Sequence, residues 1–157
     1  MKISEEVLSV SYGQIVVHQS GVDDPFNFWT DAHLVQGFAW RSESTGFRTL
    51  DQYGEHRVHS ALVERFADPE SWSRRIIEVP FRVSVTGEVV VASIEDEFSV
   101  AIPPALYQLR FELGTGTSGS PFIRLQFLRC DDPGFAIVRA DSEIKIPASW
   151  APEAEPA

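Results

Sequence analysis

Apolar and polar residues alternate along most of the chain. Ile77, Val79, Phe81, Val83 and Val85 are separated by Glu78, Pro80, Arg82 and Ser84. In an extended backbone that spacing puts every apolar side chain on one face, the pattern of a half-buried antiparallel strand. Tyr107, Leu109, Phe111 and Leu113 repeat it, as do Ile123, Leu125 and Phe127. Phe98, Val100 and Ile102 form a shorter set. Leu8, Val10 and Tyr12 form another, continued by Ile15 and Val17 after Gly13 and Gln14, a dipeptide that reads as a bulge. A β-branched run over 89–94 follows Thr86, Gly87 and Glu88, which read as a hairpin turn. Residues 58–66 give a less regular strand.

Helix is scarce. Thr30 is suited to cap a short helix over 31–36, with Asp31 in its first turn and Gly37 as its stop. A second helical turn is expected over 68–72, with Asp68 capping and Pro69 at the first position. Strands about ten residues apart, punctuated by Gly and Pro, predict a mainly β fold. The expected architecture is an antiparallel β-sandwich with one or two short helices. Residues 1–150 read as its single domain. Residues 151–157, with Pro152, Glu153, Glu155 and Pro156, read as a disordered acidic, Pro-rich tail.

Composition supports a self-sufficient core. The 157 residues include 11 Phe and 4 Trp, too much apolar mass to leave in water. No apolar run is long enough to span a bilayer, and residues 1–10 carry Lys2, Glu5 and Glu6, unlike a signal peptide. The single cysteine, Cys130, excludes an internal disulfide and fits a reducing, cytoplasmic setting. The net charge is −10, shared equally: residues 1–78 hold 7 bases and 12 acids, and residues 79–157 hold 6 and 11. Such a chain repels phosphate, so direct nucleic-acid binding is not expected. The acidity reads either as solubility or as complementarity to a basic partner. Arginine supplies 11 of the 13 bases, which suits fixed salt bridges on strand faces.

Catalytic chemistry finds little support. Asp131 and Asp132 follow Cys130 and would raise a thiol pKa. Ser118, Gly119 and Ser120 lie in a Gly/Thr/Ser loop over 114–120, without the strand-turn-helix setting of a nucleophile elbow. The G-x-G-x-x-G spacing from Gly114 to Gly119 leads through Pro121 into a strand, where a phosphate loop needs a helix. His56 and His59 lie three apart in an extended segment, so they point to opposite faces, and His18 and His33 are distant in sequence. No metal or cofactor is expected. The paired acids Asp23/Asp24, Glu95/Asp96/Glu97 and Asp131/Asp132 fall between strands, and no aromatic cluster marks a sugar cleft around them.

Several of these blocks, in order, resemble the bacterial competence protein J family. They are the strand from Leu8 to Val17, Trp29-Thr30-Asp31 opening a helix that runs to Gln36-Gly37-Phe38-Ala39, the segment Val79-Pro80-Phe81-Arg82-Val83, Phe98-Ser99-Val100, and Ile102-Pro103-Pro104 with Tyr107-Gln108-Leu109. The resemblance covers residues 8–113. After Gly114 the chain departs from it with extra strand material. The resemblance implies a non-enzymatic inhibitor that binds a DNA-entry nuclease, or an immunity-like protein against a nuclease-like toxin. A basic nuclease groove would meet carboxylates of this chain. The candidates are Asp23, Asp24, Glu95, Asp96, Glu97, Asp131 and Asp132, with aromatic anchors from Phe26, Phe28, Trp40 or Trp72. The alternative is a small-ligand-binding sandwich. Exposed edge strands leave a homodimer open.

Overall fold

The computed structural model describes residues 2–116 and 119–157. Thr117 and Ser118, within the expected 114–120 loop and the Ser-Gly-Ser motif, lie outside the described residues. Among the described residues, eleven strands and one helix follow one another: β1 (Lys2–Val10), β2 (Gln14–Gln19), α1 (Asp31–Gln36), β3 (Phe38–Arg41), β4 (Ser44–Arg48), β5 (Gly54–Val63), β6 (Ser73–Val83), β7 (Glu88–Ala92), β8 (Glu97–Ala101), β9 (Ala105–Thr115), β10 (Pro121–Arg129) and β11 (Ala136–Arg139). They form a six-stranded sheet, β1-β5-β10-β9-β6-β11, packed on a five-stranded sheet, β3-β4-β2-β7-β8.

The alternating residues meet between the sheets. Leu8, Val10, Val58, Ile77, Val79, Phe81, Leu109, Phe111, Leu113, Ile123, Leu125 and Phe127 pack there against Ile15, Val17, Phe38, Phe47, Val89 and Val91. Phe47 and Phe111 stack across the interface with ring centroids 4.5 Å apart. The alternation fails at Val85, which is 93% exposed, because β6 ends at Val83. The turn after it joins two sheets, where a hairpin was expected: Gly87, at φ 63°, donates its N–H to Ser84 O and starts the chain into β7. Gly13 behaves likewise. In place of a bulge, Tyr12 and Gly13 turn the chain from β1 in one sheet to β2 in the other.

α1 matches its expected limits. Thr30 Oγ1 accepts the His33 N–H, and His33 Nδ1 accepts the Thr30 N–H, so each satisfies an otherwise orphan donor. Gly37, at φ 87°, closes the helix. The second helical turn does not form. Residues 68–72 belong to a connection that ends in a turn, Ser73 N–H to Glu70 O.

That connection has a topological cause. β5 and β10 run parallel, whereas every other strand pair among the described residues is antiparallel. The chain leaving β5 must therefore return along the outside of the sheet, over residues 64–72, to start β6 in the same direction. It covers polar outward positions. Arg110 pairs with Glu78 at 2.6 Å and Arg124 with Glu112 at 2.6 Å. Phe66 lies 4.2 Å from the Arg110 guanidinium, and Trp72 5.4 Å from that of Arg124. Ala67 donates its N–H to Gln126 and accepts from Arg110. At Gly114 the crossover touches the strand. A Cβ there would sit 1.9 Å from Trp72 O, so only glycine fits.

The C-terminal segment covers the edge of the smaller sheet. Ala154 donates to Trp40 O and Trp40 to Pro152 O, each at 2.9 Å. Phe28 donates to Glu155 O, and Ala157 to Phe26 O. Gln36 bonds both polar groups of Ala151, and Trp150 packs on Phe38 and Phe135. The expected frayed tail is thus docked, because its backbone completes the open side of β3 whatever its side-chain polarity. Deleting residues 151–157 is expected to destabilise the fold by about 2–4 kcal/mol, from the lost hydrogen bonds at about 1 kcal/mol each. Urea unfolding of the truncated and full chains checks this. A difference below about 0.5 kcal/mol would return the segment to a fraying tail.

Candidate partner-binding surface

The seven acids proposed from sequence lie at two ends of the sandwich. Glu95, Asp96 and Glu97 form the tip joining β7 to β8. Asp96 does structural work there: its carboxylate accepts the N–H of Ser9 at 2.9 Å and that of Glu97. Ser93 donates its hydroxyl to Ser9 O and its N–H to Asp96 O. The tip is therefore clamped to β1, closing one side between the sheets, and Glu95 and Glu97 remain exposed. Asp131 and Asp132 are exposed beyond the far end of β10. Ser9 faces Glu55 at the start of β5, whereas Leu128 faces Val63 at its end. At about 3.3 Å per strand residue the two groups are roughly 30 Å apart. Asp23 and Asp24 are exposed in the loop after β2, where the Asp24 carbonyl accepts from Arg41. Arg41 follows Trp40 into the β3–β4 turn, at the end opposite the Glu95 tip.

Of the proposed tryptophan anchors, Trp40 packs against the core and Trp72 lies on the outer face of the larger sheet. Trp40 donates Nε1–H to Pro80 O at 2.6 Å and packs edge-on to Phe135 at 5.1 Å. With the Arg82 N–H to Ser42 O bond it ties β6 to the β3–β4 turn and closes the second side of the sandwich. Trp72 is half-buried against Phe122 and Arg124, at the edge of an open groove of about 640 Å3 on the larger sheet. Phe26 is half-buried and Phe28 exposed.

Sequence reasoning placed Tyr12 on the inner face of a strand. It stands instead at the apex of the sheet-switching turn, 63% exposed, with φ 58°. Gly13 follows at φ 68°. Turns with two such residues favour Asn-Gly, and a bulky side chain in this region costs about 1–2 kcal/mol. Backbone bonds hold the turn in place: Gly13 N–H to Gln52 O and Thr49 N–H to Gly13 O, both 2.9 Å. The same 49–53 connection presents Tyr53, 59% exposed, with its ring 5.8 Å from that of Tyr12. Beside the pair lies a cleft of about 440 Å3, lined in part by Tyr12, Gln14, Trp29, Leu34, Asp51 and Glu143. Trp29 is fixed by its Nε1–H bond to Gln14. Only a left-handed backbone at a non-glycine residue distinguishes Tyr12, and sequence does not display that.

The histidines are occupied separately. His18 Nδ1 donates to Gln19 O, and His33 caps α1 while its Nε2 donates to Glu153 O. Among the described residues, no three His, Cys, Asp or Glu side chains are grouped to hold a metal ion. His56 is fully buried in β5. Its Nδ1–H goes to Gly54 O and its Nε2 has no partner. Burial lowers its pKa from 6.5, against the opposing pull of the Gly54 carbonyl and Asp51.

A family model described as competence protein J (ComJ) matches residues 7–128. The match runs past the point where the sequence resemblance fades and includes most of β10; β11 and the docked C-terminal segment lie beyond it. No curated protein matches significantly. Among solved structures, the chain is similar to ComJ from Bacillus subtilis, described as an inhibitor of the DNA degrading activity of NucA. The TM-score is 0.74 at 19% identity, covering 83% of this chain and 98% of that one.

The His56 geometry has a pH signature. A folded-state pKa below the unfolded one means that the unfolded chain binds the extra proton first. The His56 contribution to stability is therefore complete above about pH 6.5 and is lost progressively as pH falls toward the lowered folded pKa. Urea melts at pH 7.5 and 5.5 should show a larger loss for the natural chain than for His56→Gln. Equal losses would place the acid sensitivity elsewhere.

Proposed function

This chain belongs to the competence protein J family, and from that premise we propose that it is a non-enzymatic inhibitor of a DNA-degrading nuclease, acting by direct protein association. The observation that carries the reading is the family match across residues 7–128, supported by a solved relative of the same fold that inhibits such an enzyme. Physical chemistry points the same way. A nuclease groove is basic because its substrate is a polyphosphate, and a chain of net charge −10 is attracted to it and repelled by DNA. The Arg110–Glu78 and Arg124–Glu112 pairs are each neutral, so this charge falls on the remaining residues. Exposed carboxylates at one end of the sandwich occupy the groove in place of phosphates. One free cysteine suits the cytoplasm.

The partner is a nuclease of the NucA type from the same source. Purified protein should suppress its DNA degradation at near-equimolar ratio while leaving DNA intact and unbound. Raising NaCl from 50 to 500 mM should weaken association by about tenfold or more, because the steering charges are exposed and screened. Undiminished DNA degradation at excess protein and low salt would sink the reading.

A further inference from the structure

We propose that the Tyr12–Tyr53 end of the sandwich is the surface that receives the partner, and that its cleft takes an arginine or lysine side chain from a basic protein surface. This rests on the inhibitor reading above and assigns it a place.

Four features coincide at this end. The first is unexplained strain. Tyr12 holds a left-handed backbone, yet its ring is mostly exposed and returns little burial to the fold. Beside it, Ser11 buries its hydroxyl without a hydrogen-bond partner. Local costs of this kind persist at functional positions. The second is an exposed aromatic pair, Tyr12 and Tyr53, held by backbone bonds from both sides of the turn. Tyrosines of this kind supply much of the energy of protein interfaces at small entropic cost.

The third is the cleft beside the pair, where Tyr12, Trp29 and Asp51 offer aromatic faces and a carboxylate to a cation, while Arg48, which also lines it, is paired with Glu143. The fourth is charge. Asp51 and Glu55 are exposed in the β4–β5 region, and Glu95 and Glu97 project from the tip clamped to Ser9, which pairs with Glu55. The opposite end carries as many acids, Asp23, Asp24, Asp131 and Asp132, and exposes Phe28, but among the described residues it has no pair of exposed rings in contact, so the aromatic pair and the cleft, not charge alone, distinguish the Tyr12 end. A standard interface covers about 800 Å2 per partner, roughly a tenth of this chain's 7732 Å2, which suffices for one end and not both.

Tyr12→Asn separates binding from folding, because Asn-Gly is favoured in this turn. Binding of a NucA-type nuclease from the same source should weaken roughly 30-fold, with Tm unchanged or higher. Tyr53→Ala and Glu95→Lys/Glu97→Lys should weaken it at least tenfold, and Asp131→Lys/Asp132→Lys less than threefold. Natural protein that inhibits the nuclease, with Tyr12→Asn and Tyr53→Ala binding equally well, would overturn the surface and leave the function. If the natural protein does not inhibit, the function fails, and the surface is judged by NMR titration with nona-arginine. Shifts gathered on Gly13, Gln52, Tyr53 and Glu97 would uphold it. Shifts centred on Asp131, or spread evenly, would overturn it.

Discussion

The parallel pairing of β5 with β10 is the constraint from which much of the architecture follows. β10 and β6 both run antiparallel to β9, so β6 points the same way as β5 with two strands between them, and residues 64–72, which join β5 to β6, must travel back across the outer face of the larger sheet. An outer face that would otherwise be wet becomes partly dry beneath them. Glu112 is fully buried there, and Glu78 and Arg110 nearly so. A carboxylate in that position is tolerable only with a guanidinium against it, and Arg124 and Arg110 fill that need. Phe66 and Trp72 roof the pairs, which explains why Trp72 is committed to the fold. Arg75, wholly buried, repeats the device with Asp141 and Glu143. Arg75, Arg110 and Arg124 are thus structural in use, in the fixed salt bridges that an arginine-rich chain suits.

Legibility in the sequence followed locality. α1 was readable to the residue because Thr30 and Gly37 each act on His33, within four positions of themselves. β6, β9 and β10 were readable because their apolar faces are long and regular. β3 and β4 carried no such signal: Ser44, Thr45 and Gly46 are buried under the 20–30 loop, where Trp29 lies against Gly46, so burial there does not require apolar residues. Gly13 and Gly87 announced breaks, but whether a break makes a bulge, a hairpin or a change of sheet depends on strand partners far along the chain. The C-terminal segment was opaque for a similar reason. Its anchor is backbone pairing with β3, to which composition is blind.

The candidate surface shows the same division. Adjacent acids between strands marked the Glu95 tip, yet nothing local separated Asp96, which bonds Ser9, from its exposed neighbours. Trp40 looked like an anchor because tryptophan in a loop-rich region often is one, but its indole N–H reaches Pro80 and seals the sandwich. Tyr12 continued the alternation of Leu8 and Val10 and so looked internal. Its outward position comes from the change of sheet at Gly13, the same nonlocal event that hid the turn.

Magnitudes assign different tasks to the carboxylates and the tyrosines. Exposed ion pairs contribute about 0–1 kcal/mol each and are screened beyond about 8 Å at physiological salt, so on the proposed surface Glu95, Glu97 and Asp51 would govern how fast a basic partner arrives. Holding it requires area removed from water. Burying an aromatic side chain contributes about 1.5–3 kcal/mol, and a cation against its face adds roughly 0.5–2 kcal/mol. Two such rings, already ordered by the Gly13–Gln52 and Thr49–Gly13 bonds, outweigh several rim carboxylates and need little rearrangement on binding. An acidic chain without that pair would meet many basic proteins briefly. With it, on the proposed surface, charge would select the class of partner and the turn at Tyr12 would set how long the partner stays.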